Sequence, residues 1–187
     1  MTIKDEAVDT ESLQRFLFRL RLARLVAAGS NDVPVLRTIR RRLLERLLRA
    51  PNLRVGSHVR LDRSHVHLGG RLVLGRDVEI GPRCILDISG GVEIQDGVTV
   101  SEDSLLLSHD HPFDDPDRHW REQGQVARPL VIEREAWIGA RSTVIGVKIG
   151  HGAVVGATSL VTKPVPSMHL ALGSPARVVR KRGERKS

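Results

Sequence analysis

Residues 132–161 read "IEREAWIGARSTVIGVKIGHGAVVGATSLV", with an aliphatic side chain every six residues: Ile132, Ile138 and Val144, then, one residue short, Ile149, Val155 and Val161. The same clock runs backwards through the chain. Leu106, Val100 and Ile94 keep it, and beyond two extra residues so do Leu86, Ile80, Leu74 and Leu68. One further extra residue separates these from Leu61 and Val55, making fifteen units. A second position, four residues after the aliphatic, is small or β-branched: Val78, Cys84, Val98, Ser104, Ala136, Ser142, Ala153, Ser159 and Val165. An amphipathic helix repeats at three and four residues, so a period of six excludes it.

These spacings predict a coil with three flat sides, each side a short parallel strand of one hexapeptide. The large aliphatic points to the axis and the small residue fills beside it. Stacked coils satisfy each other's backbone groups and bury one aliphatic column. Fifteen units give about five triangular coils by the logic of repeats. Glycine follows the aliphatic at Gly56, Gly69, Gly75, Gly81, Gly139, Gly150 and Gly156. There it is predicted to turn the corner in a conformation that a Cβ disfavours. Composition agrees with thin aliphatic packing: 40% of the 187 residues are hydrophobic, yet there is no Tyr, three Phe and two Trp.

Two amphipathic helices are predicted before the repeat. The first has Thr10 or Ser12 as its cap, an apolar side of Leu13, Phe16, Leu17, Leu20 and Leu25, and a stop at Gly29. The second is capped by Asn31 or Asp32, with Pro34 in its first turn and Leu36, Ile39, Leu43 and Leu47 at helical spacing. The chain thus divides into a helical segment at 1–52, a coil at 53–166 and a basic tail at 167–187. The net charge of +8 sits at the ends: residues 1–52 hold eleven Arg/Lys against six Asp/Glu, and residues 176–187 hold six against one. Such ends suit anionic partners: coenzyme phosphates, nucleic acid or an acidic lipid face. Nucleic acid fits poorly, because stacking aromatics are scarce and no reading motif is present. The Arg faces of the helices suit peripheral contact with anionic membrane lipid, or plain solvation over a capped end of the coil. One cysteine, at Cys84, makes no internal disulfide, and no secretory or transit segment opens the chain, which together predict a cytoplasmic protein. Cys84 occupies a small inward position and reads as inert packing.

From Leu107 to Val131 the clock stops, and a long loop inside a compact domain is usually functional. The loop opens in "LLLSHDHPFDD", residues 105–115, with His109 and His111 one residue apart. A second His-x-His pair stands at His65 and His67. Alternate residues of a strand face one side, so each pair could offer two ligands to a metal.

The pieces "IQDGVTVSEDSLLLSHDHP", "AWIGARSTVIGVKIGHGAVVGATSLVTKPVP" and "GSPARVVR" resemble the hexapeptide-repeat acyltransferases, most of all the branch of maltose and galactoside O-acetyltransferases and related glycan-modifying enzymes. That resemblance spans about Leu74 to Arg180. It implies a left-handed parallel β-helix with a protruding catalytic loop, assembled as a homotrimer. The activity it implies is transfer of acetyl from acetyl-CoA to a hydroxyl of a sugar or glycan-type acceptor in a ternary complex, with no metal. Alignment through "IQDGVTV" places the family's catalytic histidine on His111, with His109 as runner-up. It further implies Trp137 and Asp87 at the acceptor, Ala157 and Ser159 on the pantetheine arm, and Lys163, Arg177 and Arg180 at the phosphates or adenine end. Arg83 stands where the family commonly has Asn, and the usual helical signature of the galactoside branch is absent, which points away from maltose or galactoside. The rival reading is the metal-dependent γ-class carbonic anhydrases, which share the coil. Their histidines are spread over adjacent coils, and matching histidines are not evident from "WIG" onward.

Overall fold

The computed structural model describes residues 10–29 and 34–184. The chain visits three sheets in rotation. In the first, Arg54–Val55, Glu79–Ile80, Thr99–Val100, Trp137–Ile138 and Val154–Val155 pair in parallel; His169–Gly173 follows, and Ala176–Lys181 returns antiparallel beside it. The second holds Arg60–Asp62, Ile85–Asp87, Leu105–Leu107, Thr143–Ile145 and Leu160–Val161. The third holds Leu72–Leu74, Val92–Ile94, Leu130–Ile132 and Lys148–Ile149, extended by a bridge from Ile149 to Val165.

The register lays the six-residue clock into columns. Val55, Ile80, Val100, Ile138 and Val155 are successive partners in the first sheet. Leu61, Leu86, Leu106, Val144 and Val161 are partners in the second, and Leu74, Ile94, Ile132 and Ile149 in the third. Apart from half-buried Val55, all of these are buried, as are the small residues from Val78 to Ser159. One unit differs from the sequence reading. Leu68 is only half-buried and lies in a 3-10 turn, Val66–Leu68, while Val165, expected as a filler, is buried and completes the third column. The extra residues between Leu61 and Leu72 therefore bulge out of the stack and carry His65 and His67 with them.

The glycines also act differently. Among those expected at corners, Gly69 has the left-handed φ of 71°, whereas the left-handed residues of the stack stand three places after the inward aliphatic: Asp77, Arg83, Asp103, Glu135, Arg141 and Thr158. Gly81 and Gly139 are needed for room. A Cβ would stand 2.5 Å from Glu102 N at the first and 2.6 Å from Ala157 N at the second, inside contact distance of the next coil's backbone.

Helices α1 (Thr10–Ala27) and α2 (Pro34–Leu48) pack on each other and on the start of the stack. Leu20, Ala23 and Ala27 of α1 and Leu44 of α2 enter the core, but Leu25, Leu36 and Ile39, expected inside, face outward. Arg40 is the reason the inner face can end where it does. Unlike exposed Arg37, Arg41 and Arg42, it is buried and donates to Val26 O (2.8 Å), Ala27 O (2.7 Å), Val55 O (2.7 Å) and Gly56 O (2.7 Å). One guanidinium thus satisfies carbonyls at the end of α1 and the edge of the first coil. The caps expected at Thr10 or Ser12 and at Asn31 or Asp32 lie outside the described side chains. Among the described residues no helix is long and apolar enough to cross a membrane.

Candidate active site

At the end of Leu105–Leu107 the chain leaves the rotation. His109–Asp110 pairs antiparallel with Val126–Ala127 of the returning segment, and Arg128 N–H donates to Ser108 O (2.8 Å), closing the neck of the excursion. The neck is built over Asp87, one coil earlier in the same sheet. Its Oδ1 accepts from Ser89 N–H (3.1 Å) and Ser89 Oγ (2.6 Å), and its Oδ2 accepts from Ser108 N–H (3.1 Å). The Nδ1 of His109 lies 2.6 Å from the same Oδ2. Both side chains are well covered, at 15% and 5% exposure for His109 and Asp87. Burial pushes the Asp87 pKa up, but the Ser89 hydroxyl, the His109 ring and the Ser108 N–H outweigh it and hold the carboxyl below its ordinary value. An ionised Asp87 at Nδ1 fixes the ring and leaves Nε2 as the free nitrogen of His109.

Three other histidines gather round this pair. The His65 ring centroid lies 4.4 Å from that of His109 and 5.4 Å from that of His111, and His109 and His111 are 5.2 Å apart. His67 stands 5.9 Å from His65. His65, His109 and His111 each offer a ligand atom, all within 4.8 Å of one another. Burial first, then the neighbouring histidines, push the His65 pKa down against the pull of Asp87. His111 takes Asp110 Oδ1 on its main-chain N–H (2.8 Å), and the edge of its ring meets Trp120 at 6.0 Å. Its Nδ1 is buried and, among the described residues, has no hydrogen-bond partner.

The structure brings together His111, His109 and Asp87 of the residues singled out by sequence. Asp87 sits as a buried support, with both oxygens engaged, rather than as an open sugar ligand. Trp137 is on the first sheet, half-exposed, its Nε1 donating to Ser101 Oγ (2.9 Å), and so on a different side from the histidines. Ala157 and Ser159 flank the corner of the last coil. Ser159 is buried and its Oγ accepts from Gly173 N–H (3.1 Å), while Lys163 is exposed just after Leu160–Val161. By strand spacing of about 4.8 Å, Leu160–Val161 lies roughly 10 Å along the stack from Leu105–Leu107, two rungs on in the second sheet. Arg177 and Arg180 lie on the returning strand Ala176–Lys181. Cys84 is buried, its Sγ 3.0 Å from Ser101 O, and burial pushes its thiol up to about 11, as inert packing requires. Sequence reasoning missed Ser89 and Ser108. Their signal was present as Asp-x-Ser at residues 87–89 and as the serine directly before His109.

Comparison with known proteins fits this geometry. Residues 129–163 match the family described as the hexapeptide repeat of succinyl-transferase. A Staphylococcus aureus protein named as an acetyltransferase is 32% identical over 144 residues, covering 76% of this chain and 69% of that protein. A Mycobacterium tuberculosis protein named as an acetyltransferase is 34% identical over 125 residues; the match takes in 66% of this chain but only 40% of that longer relative. Among solved structures, a maltose O-acetyltransferase from Clostridium difficile superposes with a TM-score of 0.71 at 24% identity, covering 94% of this chain and 90% of that one. An N-acyltransferase from Bacillus cereus, in complex with dTDP and 3-hydroxybutyryl-CoA, gives 0.61 at 21% identity, covering 71% of each chain. The chain belongs to the hexapeptide-repeat acetyltransferases, and the three rotating sheets are the left-handed β-helix of that family.

Proposed function

We propose that the protein is an acyl-CoA-dependent O-acyltransferase that moves acetyl from acetyl-CoA to a hydroxyl of a sugar or glycan-type acceptor. The observation that carries this reading is the 2.6 Å contact between buried Asp87 and His109 at the neck of the excursion. An imidazole held at Nδ1 by a carboxylate has Nε2 ready for a proton, and its pKa range suits both taking and returning one near neutral pH. This favours His109 as the base and makes Asp87 its positioning residue, reversing the order in which the family alignment ranks His109 and His111. His111 stands next to it, with the ring centroids 5.2 Å apart.

In the transfer, His109 Nε2 takes the proton as the acceptor oxygen bonds to the thioester carbonyl carbon. The tetrahedral intermediate collapses, the carbon–sulfur bond breaks, and the imidazolium returns the proton to the departing thiolate. No acyl-enzyme forms. A main-chain N–H aimed at the developing oxyanion would contribute about 3 kcal/mol. The edge running from His109 to Lys163 supports a pantetheine arm lying along the stack, with Ala157 and Ser159 beside it and Lys163, Arg177 and Arg180 receiving phosphate or adenine. The five parallel rungs of the second sheet, with the excursion between Leu107 and Leu130, supply the length for that arm. The 3-hydroxybutyryl-CoA bound to the Bacillus cereus neighbour and the near-complete overlap with the Clostridium difficile O-acetyltransferase support cosubstrate and acceptor class, respectively. Trp137 lies on another side of this chain from His109, so it serves the acceptor site only when a neighbouring protomer of a homotrimer presents it. Exposed Phe18, Leu25 and Ile39 among the arginines of α1 and α2 support peripheral contact with anionic lipid.

The test is release of free thiol from acetyl-CoA with a panel of sugars, glycosides and alcohols. Acceptor-dependent thiol release is expected, and its absence with every acceptor contradicts the reading.

A further inference from the structure

We infer that His65, His109 and His111 together bind one zinc ion, and that its binding switches the transferase off. By sequence each His-x-His pair could offer two ligands to a metal; the bulge between Leu61 and Leu72 and the neck of the excursion bring members of both to one place. All three residues are half-buried, and one nitrogen from each lies within 4.8 Å of the others. Tetrahedral zinc with bonds of about 2.0–2.1 Å needs nitrogens about 3.3 Å apart, which small side-chain rotations reach. Three imidazoles suit zinc, copper or nickel rather than magnesium or calcium, which take oxygen.

Two further observations point to a metal. Asp87 holds His109 at Nδ1 with 2.6 Å between the atoms. A carboxylate on the far nitrogen of a ligating histidine is the arrangement that orients imidazoles on zinc. His111 Nδ1 is buried with no partner among the described residues, and a buried polar atom of that kind calls for an explanation such as an ion. Asp110, the other carboxylate of the neck, is turned to Arg128 at 3.8 Å and to the His111 main-chain N–H, and the cluster is an all-nitrogen site.

The switch rests on the acyl-transfer reading, because a zinc on His109 Nε2 occupies the lone pair that would take the acceptor proton. The metal site does not rest on it. His65 supplies a ligand and has no part in the transfer.

The experiment uses the full chain, stripped with EDTA and titrated with zinc chloride by calorimetry, with acetyl transfer measured in parallel. One zinc per chain is expected, with binding at least a hundredfold weaker in His65→Ala. Zinc saturation is expected to lower wild-type turnover at least tenfold, reversibly with EDTA, while His65→Ala keeps its rate and loses the sensitivity. No stoichiometric zinc, or equal affinity in wild type, His65→Ala and His111→Ala, overturns the site. Bound zinc with unchanged or raised turnover overturns the switch. Cobalt(II) in the wild-type protein gives an independent reading should His65→Ala misfold: tetrahedral visible bands are expected, and their absence counts against the site. Calorimetry and the cobalt spectrum read the metal even if no acceptor is ever acetylated.

Discussion

Leu106 and His109 are three residues apart and answer to different constraints. Leu106 has Leu86 on one side and Val144 on the other, is fully buried, and is replaceable in principle by any aliphatic of its volume. His109 has left the ladder, pairs with a returning segment, and is held by one carboxylate. In the stack every coil repeats the previous one, so the stabilising contacts are many and alike. At the neck the contacts are few and each is different. The regular region holds the fold, and the irregular one departs from it just far enough to place imidazoles that the stack itself would have no use for.

The sharpest way to break this division is to damage the stack and look for an effect on chemistry. Ile138→Ala is expected to lower stability by about 2–5 kcal/mol, through lost burial and the cavity left behind, while turnover per folded molecule stays unchanged; urea unfolding and thiol release check the two halves separately. Gly139→Ala comes next, at about 1–3 kcal/mol, because its Cβ would meet Ala157 N at 2.6 Å and the coils must part. Asp87→Asn crosses the division. It leaves an amide facing the Ser89 and Ser108 donors, costing about 1–3 kcal/mol, and it frees the His109 ring, so turnover should fall at unchanged acetyl-CoA affinity. Smallest is Cys84: with its thiol pushed up to about 11, it is expected to stay unlabelled by a thiol reagent at pH 8 until the protein unfolds. Rapid labelling of the folded protein would mean that the small column is open.

The stack was legible because a period of six survives every local variation, and the registered columns of aliphatics are that period made solid. What the spacing did not carry is distance between coils. Gly81 and Gly139 were therefore read as corner residues, when close approach of the next backbone is what requires them. Leu68 kept the count but lies in a bulge, so Leu74 is the first rung of the third column and Val165 adds a rung at its far end, since an inserted turn of roughly the right length is invisible to a clock. Nothing in the sequence sets Arg40 apart from the other arginines of its helix; only the convergence of four carbonyls turns it inward. At the site, the order of motifs singled out the excursion and both of its histidines, whose rings lie 5.2 Å apart. The partners of His109 are not legible in the sequence, because Asp87 and His65 meet it only after the chain has been wound through whole coils.

Thiol release from acetyl-CoA by His109→Ala, set beside wild type and His111→Ala in metal-free buffer, tests the central claim most directly. The account predicts a loss of about 10²–10⁴-fold in His109→Ala, a much smaller loss in His111→Ala, and folding preserved in both. Wild-type turnover by His109→Ala, or the large loss falling on His111→Ala alone, would contradict it.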